Sequence, residues 1–257
     1  MLKRNPFHFS IATRVRNPYF KRFLEPSDGA RILDVGCGVG YFSALLSEAG
    51  GDVCGVDIDP SSISVATQMI GNKFVIGSAE WLPFQDNSFD KILCSEVLEH
   101  IVDDNRAVSE IRRVAKPGAV IVLTVPSPEG LFGARIKSIC HGHDDIHGPE
   151  AHQRDGYTRS ELRTLLESNG ILIDNMRFTM VAMTELLMGA TKLAYSATSG
   201  NAHLSSQSEV MQVDGFLVFR AYRIALPIIT ALAKVEDIVL APLLKGHMLI
   251  VKGKVQK

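Results

Sequence analysis

The fold is decided by the ten residues RILDVGCGVG at positions 31–40. Their first half is rich in branched apolar side chains, which predicts a buried strand, and the spacing of Phe42, Leu45 and Leu46 predicts that a helix follows. Glycines between a strand and a helix let the backbone turn sharply and approach a ligand closely. The stretch therefore predicts a ligand-binding turn at the carboxyl end of a first strand.

Short apolar runs alternate with helical patterns along the rest of the chain. The runs after the first are DVCGVDI (52–58), KFVIG (73–77), FDKILCS (89–95), AVIVLTV (119–125), ILIDNMRFTM (171–180) and HMLIVKGKV (247–255). Such alternation is typical of an α/β protein in which helices cover both faces of a parallel sheet.

Capping residues mark the expected helix boundaries. Asp59 followed by Pro60 predicts a helix start, and Thr158 with Glu161 has the spacing of a capping box. A long helix is predicted from about Val97 to the Lys-Pro-Gly segment at 116–118, where proline and glycine would stop it.

We interpret residues 1–257 as a single domain. A cofactor-binding core is expected at residues 30–130, an active-site loop at 127–157, an apolar helical insertion at 181–246 and the final strand at 247–255.

The composition restricts the classes of function. With a net charge of −1, the chain has no basic excess for neutralising phosphates, which disfavours general nucleic-acid binding and favours a small-molecule substrate. Four scattered cysteines without a CxxC pair are typical of reduced thiols in a cytoplasmic protein. Charged residues and prolines interrupt the apolar stretch 221–244, so we expect no transmembrane segment.

Asp57 strengthens the interpretation of the glycine loop, Gly36, Gly38 and Gly40. It lies about twenty residues further on, at the end of the second predicted strand, where a carboxylate can accept both ribose hydroxyls of an adenosine. A nicotinamide-binding fingerprint would have its third glycine at Tyr41, which disfavours an oxidoreductase. The simpler alternative is a tight turn with Asp57 as a helix cap, but Asp59 already has the features of that cap.

The motifs ILDVGCGVG, VDIDP, AEWLPFQDNSFDKILCSEVLEH and AKPGAVIVLTVP, taken together, resemble those of class I S-adenosylmethionine-dependent methyltransferases of the ubiquinone-biosynthesis-like group. The resemblance covers about residues 30–130. It implies a Rossmann-like, doubly wound, seven-stranded sheet that is mostly parallel, with an antiparallel last strand and a helical insertion before it.

The resemblance also implies a set of cofactor-binding residues. Asp34 and the glycine loop would hold the methionine moiety, Asp57 the ribose, and the turn at Ser78, Ala79 and Glu80 the adenine. Ile58 and Ser95 are expected to be further cofactor contacts. Many relatives have an aspartate at the position of Ser78, and a neutral hydroxyl only partly replaces such a charged acceptor.

A second group of polar residues, Glu96, Glu99 and His100, follows the fourth predicted strand. We expect these side chains at the carboxyl edge of the sheet, where open α/β sheets bind ligands. Either His100 or Glu99 removes a proton from the acceptor, or Glu96, Glu99 and His100 hold a divalent metal together with His152, as in some relatives. The third alternative is an ordinary helix start in which the acids complement the helix dipole.

The acceptor is the least defined part of the prediction. Apolar runs in the insertion can form core packing, line a pocket for a greasy acceptor, rest peripherally on a membrane or pack a dimer. We expect methyl transfer to an oxygen of an amphipathic small molecule, such as a phenol, a quinol or a lipid-like compound. The alternatives are a cofactor-binding regulatory or assembly protein without catalysis and, more distantly, a nicotinamide-dependent oxidoreductase.

The basic N-terminal segment is predicted to be a solvated helix that covers the cofactor. It contains Arg14 and Arg16, which would contact an acidic acceptor or RNA in the alternative interpretation.

Overall fold

The computed structural model describes residues 10–71, 73–130, 153–181, 184, 186–187 and 217–257, with side chains from residue 224 onward in the last range. In chain order the elements are α1 (Ile11–Leu24), β1 (Arg31–Val35), α2 (Tyr41–Ser47), β2 (Asp52–Asp57), α3 (Pro60–Ile70), β3 (Phe74–Ile76), β4 (Phe89–Ser95), a 3-10 turn (Leu98–His100), α4 (Asp104–Val114), β5 (Ala115–Pro126), α5 (Arg159–Ser168), β6 (Ile171–Thr179), α6 (Leu217–Val239) and β7 (Met248–Val255).

The strands form one seven-stranded sheet in the order β3-β2-β1-β4-β5-β7-β6. Strands β1 to β5 pair in parallel, whereas β7 is antiparallel to both β5 and β6. This confirms the predicted α/β class and the reversed last strand. The strand order changes direction between β1 and β4, and in such sheets the ligand lies outside the carboxyl ends of the strands at that point.

The two faces of β1 belong to two different parts of the core. Because side chains alternate along a strand, Ile32 and Leu33 point to opposite faces of the sheet. Ile32 is part of a cluster with Phe20 of α1, while Leu33 is part of a cluster that includes Ile111 of α4 and Leu162 of α5. The central strand is therefore buried on both sides, as its apolar sequence predicts.

Both predicted helix caps are present. The Asp59 carboxylate accepts hydrogen bonds from the amides of Ser61 (3.1 Å) and Ser62 (2.9 Å) at the start of α3. In the capping box of α5, the Thr158 hydroxyl accepts from the Glu161 amide (3.3 Å) and the Glu161 carboxylate accepts from the Thr158 amide (2.8 Å).

The prediction of one long helix from Val97 to residues 116–118 is wrong. The chain forms only a 3-10 turn after Val97, and α4 begins at Asp104 because the Asp103 carboxylate caps it by accepting from the Arg106 amide (2.9 Å). The helix also ends earlier, at Val114. Pro117 and Gly118 lie instead in the first part of β5, beside an irregularity in its pairing with β4.

Much of the predicted active-site loop (127–157) and of the predicted insertion (181–246) lies outside the described residues, at 131–152 and largely at 182–216. The described end of the insertion is α6. Among the helices described, none is both long and apolar enough to cross a membrane.

A buried ion pair fastens α4 to the segment that precedes β4. Glu110 is 5% exposed, and its carboxylate accepts from the Leu82 amide (2.9 Å) and from two nitrogens of Arg113 (2.8 Å each). Arg113 also donates to the Phe84 carbonyl (2.8 Å). The pair therefore satisfies backbone groups of a segment that has no regular structure of its own.

We expect Glu110→Ala to lower the free energy of unfolding by about 2 kcal/mol, because it leaves the Leu82 amide and the Nε of Arg113 without their acceptor. The matched control is Glu167→Ala on α5, which removes an exposed pair with Arg163 and should cost less than about 0.5 kcal/mol. Urea unfolding of both variants measures the difference. Equal losses would contradict a structural role for the buried pair.

Candidate cofactor site and active site

The glycine loop lies at the carboxyl end of β1, beside β2. The amides of Gly36 and Cys37 both donate to the Val56 carbonyl, at 2.8 and 3.0 Å. Gly36 has a φ of 67°, and a Cβ atom there would lie 2.3 Å from Cγ2 of Val97. The loop therefore needs glycine at this position for two reasons, its left-handed backbone and the contact with the chain that follows β4.

Asp57 joins the end of β2 to the glycine loop. Its carboxylate accepts from the Gly38 amide (2.7 Å) and from the Asp59 amide (2.9 Å). Each carboxylate oxygen can accept more than one hydrogen bond, so Asp57 still has acceptor capacity for a ligand. The next residue, Ile58, is an apolar side chain that is 53% exposed. A carboxylate and a bare apolar surface thus lie side by side at this edge.

Asp34 lies beneath the loop rather than at its surface. It is 2% exposed, and its carboxylate accepts from the Ser43 hydroxyl (2.6 Å). Burial raises its pKa to about 7, although the Ser43 hydrogen bond acts in the opposite direction. Its interactions connect β1 to α2, so any contribution to cofactor binding includes support of the loop.

The predicted adenine turn follows β3. The Ser78 hydroxyl accepts from the Glu80 amide (3.2 Å), and Arg106 of α4 donates to the Glu80 carbonyl (3.2 Å). The Arg106 guanidinium also lies 4.0 Å from the centre of the Trp81 ring, which is largely exposed. Ser78 therefore helps to shape the turn, in addition to any contact with a ligand.

Arg16 of α1 is the main residue of this region that the sequence analysis misplaced. It was predicted to lie on a solvated helix, yet it is 4% exposed. It donates to the Ser95 hydroxyl (3.0 Å) and pairs with the Glu96 carboxylate. Ser95 and Thr124 are in turn hydrogen-bonded to each other (2.9 Å). The helical apolar spacing of Ile11 and Val15 could have indicated that this part of α1 faces the protein.

Glu99 and His100 lie in the 3-10 turn, and Glu96, which precedes the turn, has a φ of 56°. Glu99 is 1% exposed, and one of its carboxylate oxygens is buried without a hydrogen-bond partner. Burial, with a smaller contribution from the negative charge of Glu96, raises the pKa of Glu99 to about 8. Glu99 is therefore mostly neutral at pH 7. His100 is partly exposed.

The described residues offer little support for the predicted metal site. In these parts of the chain no three His, Cys, Asp or Glu side chains come together as metal ligands. Glu96 is paired with the cationic Arg16, whose charge opposes a divalent ion beside it. The fourth predicted ligand, His152, lies outside the described residues.

A methyltransferase domain model matches residues 33–123. An uncharacterized methyltransferase of Mycobacterium tuberculosis is 38% identical over 120 residues, which are 46% of this chain and 47% of that protein. The core of the chain, residues 33–123, is therefore similar to methyltransferase domains. The chain spans about half the length of the curated methyltransferases it matches.

Solved structures are similar to this chain in fold. A SAM-dependent methyltransferase from Methanosarcina mazei has 27% identity, a TM-score of 0.52 and coverage of 64% of this chain and 89% of its own. The [4+2]-cyclase SpnF shares the fold at 18% identity, with a TM-score of 0.58 over 95% of this chain and 81% of its own. The fold alone therefore does not define the reaction.

We expect Gly36→Ala to weaken binding of S-adenosylmethionine and to destabilise the methyltransferase core by about 1–3 kcal/mol, because the new methyl group would overlap Val97. The matched control is Gly118→Ala, since Gly118 also has positive φ (75°) but has no atom within 4 Å of the added Cβ. Thermal unfolding and cofactor titration are the measurements. Adding Val97→Ala to Gly36→Ala should recover part of the lost stability. If the effects of the two substitutions were simply additive, the contact between Gly36 and Val97 would be contradicted.

Glu99→Gln should change how stability depends on pH. The folded chain retains the Glu99 proton up to about pH 8, whereas an ordinary glutamate releases it near 4.5. The stability that Glu99 contributes is thus fully present below the unfolded pKa and is lost as the pH rises through the folded pKa. Relative to the variant, the wild type should lose at least about 1 kcal/mol between pH 5 and pH 9 in urea unfolding. Parallel pH curves would contradict the raised pKa.

Proposed function

We propose that the chain is an S-adenosylmethionine-dependent methyltransferase that acts on a small-molecule acceptor. The observation that carries this proposal is the hydrogen bond between the Gly38 amide and Asp57 (2.7 Å), which places a glycine loop and an acidic strand end together where the strand order reverses. Ligands of open α/β sheets bind at this point of the fold.

The residues around this edge suit the three parts of the cofactor. Asp57 would accept the ribose hydroxyls, and the exposed Ile58 would lie against one face of the adenine. The Ser78–Glu80 turn would face the adenine edge, and the glycine loop, supported by Asp34, would hold the methionine moiety. An NAD site fits less well, because the third glycine of its fingerprint is replaced by Tyr41, a buried residue whose hydroxyl accepts from Asn17 (2.9 Å).

The bound cofactor supplies an activated methyl group, so the protein must chiefly orient the acceptor and exclude water. Arg16, Ser95 and Thr124 form a hydrogen-bonded polar layer where β4 and β5 end, and α1 covers it. Such a layer can fix the position of a polar group of the acceptor. A methylated oxygen must also lose a proton, for which His100 and Glu99 are the candidates.

The environments of His100 and Glu99 suggest different roles. A neutral, buried Glu99 can donate a hydrogen bond at pH 7 but has no free negative charge with which to take up a proton. His100 is partly exposed and belongs to the side-chain type most often used as a general base. We therefore assign the proton transfer to His100 and a positioning role to Glu99, with an oxygen of an amphipathic phenol, quinol or lipid-like compound as the acceptor.

We expect S-adenosylhomocysteine to form when the protein is incubated with S-adenosylmethionine and pools of phenols, quinols or lipids. With an oxygen acceptor, His100→Gln should lower kcat by about 10²- to 10⁴-fold, because the general base is lost. Glu99→Gln should retain most activity at pH 7, since the amide also donates a hydrogen bond. Glu167→Gln, on the surface of α5, is the matched control and should behave like the wild type.

Each other outcome has a definite meaning. Cofactor binding without turnover on any pool would favour a non-catalytic regulatory or assembly protein. Turnover that is insensitive to His100→Gln would assign the proton transfer elsewhere or indicate an acceptor that needs no base.

A further inference from the structure

The described part of helix α6 exposes apolar side chains to solvent, whereas an ordinary surface helix buries its apolar face. From residue 224, where its described side chains begin, the large exposed side chains are apolar and are between 52% and 79% accessible to solvent. They are Ile224, Ile228, Leu232, Val235, Ile238 and Val239. Their spacing of three or four residues places them on one side of the helix. In the turn after α6, Leu243 is 78% exposed and extends this apolar strip.

The two acidic residues of α6, Glu236 and Asp237, face the protein instead. Glu236 accepts from the amide and hydroxyl of Thr184 (3.0 Å each). Asp237 accepts from the Tyr19 hydroxyl (2.5 Å) and from the Met180 amide (2.8 Å). These bonds fix which side of α6 is turned outward, because rotating the helix would leave two buried carboxyl groups without partners.

The charges of α6 favour an anionic partner. Among the described side chains of α6, Lys234 is cationic and partly exposed, and Glu236 and Asp237 are acidic. Both acids are buried, so their carboxyl groups are not displayed on the outer surface. The adjoining helix α1 adds the exposed Lys21 and Arg22 in its last turn. An apolar face combined with basic residues is typical of helices that lie in the interface of a membrane.

The size of the strip argues against a second copy of the chain as the partner. The part of the helix from Ile224 to Val239 is about 24 Å long and about 10 Å wide, so the strip on it covers roughly 240 Å². Stable protein interfaces bury about 800 Å² on each partner. A bilayer has no such threshold, because insertion of the apolar side chains into the acyl region is favourable in itself.

We propose that the outward face of α6 docks the protein on an anionic phospholipid surface, with the helix lying in the plane of the interface. Helix α1 connects this face to the candidate active site. Its residues Ile11 and Val15 pack with Leu226 and Ala233 of α6, and the next residue, Arg16, reaches Ser95 and Glu96. A lipid-like acceptor would therefore reach the active site from the membrane side. This consequence rests on the proposed methyltransferase function, whereas the docking of α6 on a membrane does not.

Vesicle sedimentation with the full chain tests the docking without any cofactor or acceptor. The wild type should sediment with phosphatidylcholine vesicles that contain phosphatidylglycerol, more weakly with phosphatidylcholine alone, and less as the salt concentration rises. The variant Ile228→Gln/Leu232→Gln removes apolar area without altering the charge. It should lower the apparent partition coefficient at least about tenfold. The matched control is Leu172→Gln, at a 47% exposed position on β6, which should bind like the wild type.

Several results would overturn the proposal. The first is that the wild type sediments with neither kind of vesicle. The second is that the double variant binds vesicles as well as the wild type does. Light scattering that shows a dimer broken by the double variant would assign the face to a second copy. A fall in the unfolding temperature of the double variant well beyond that of Leu172→Gln, without vesicles, would show that the chain itself covers the face. Because methyl transfer is not measured, failure here leaves the proposed function standing.

Discussion

The hydrogen bond from the Gly38 amide to the Asp57 carboxylate joins the two strand ends around which the candidate site is built. It requires the loop after β1 to approach β2 closely, and the two bonds from Gly36 and Cys37 to Val56 impose the same approach. Only a residue without a Cβ atom fits at Gly36, because Val97 lies against it from the other side. The position of the loop therefore depends on β1, β2 and the chain after β4 at once.

The segment after β4, which contains Val97, is shaped by the same close packing. Glu96 adopts a left-handed backbone, and the short turn that follows brings Glu99 into the interior instead of continuing as a helix. Arg16 then pairs with Glu96 from α1, so an N-terminal helix closes a site whose other parts come from the sheet. Arg16 is thus paired and buried, although it was expected on a solvated helix. Glu99, expected at the ligand-binding edge of the sheet, is buried as well.

The sequence was sufficient wherever local signals determine the structure. Short apolar runs predicted the seven strands of the sheet, and Asp59 and Thr158 predicted their helix caps because capping involves only neighbouring residues. It failed where distant contacts decide. The burial of Arg16 depends on Glu96, which is 80 residues away. The break after His100 was missed for a different reason, because the cap at Asp103 is a local signal that the prediction did not use. The outward apolar face of α6 was likewise hidden, since composition does not show which side of a helix packs.

Calorimetric titration with S-adenosylmethionine, S-adenosylhomocysteine and NAD tests the central claim most directly. Asp57→Ala, at the end of β2, is compared with Asp52→Ala, at the start of the same strand, and with the wild type. We predict that the wild type binds both sulfur nucleosides but not NAD, that Asp57→Ala weakens this binding by about 10- to 100-fold, and that Asp52→Ala leaves it unchanged. Binding of NAD alone, or sulfur-nucleoside binding that Asp57→Ala does not affect in a folded protein, would contradict the account.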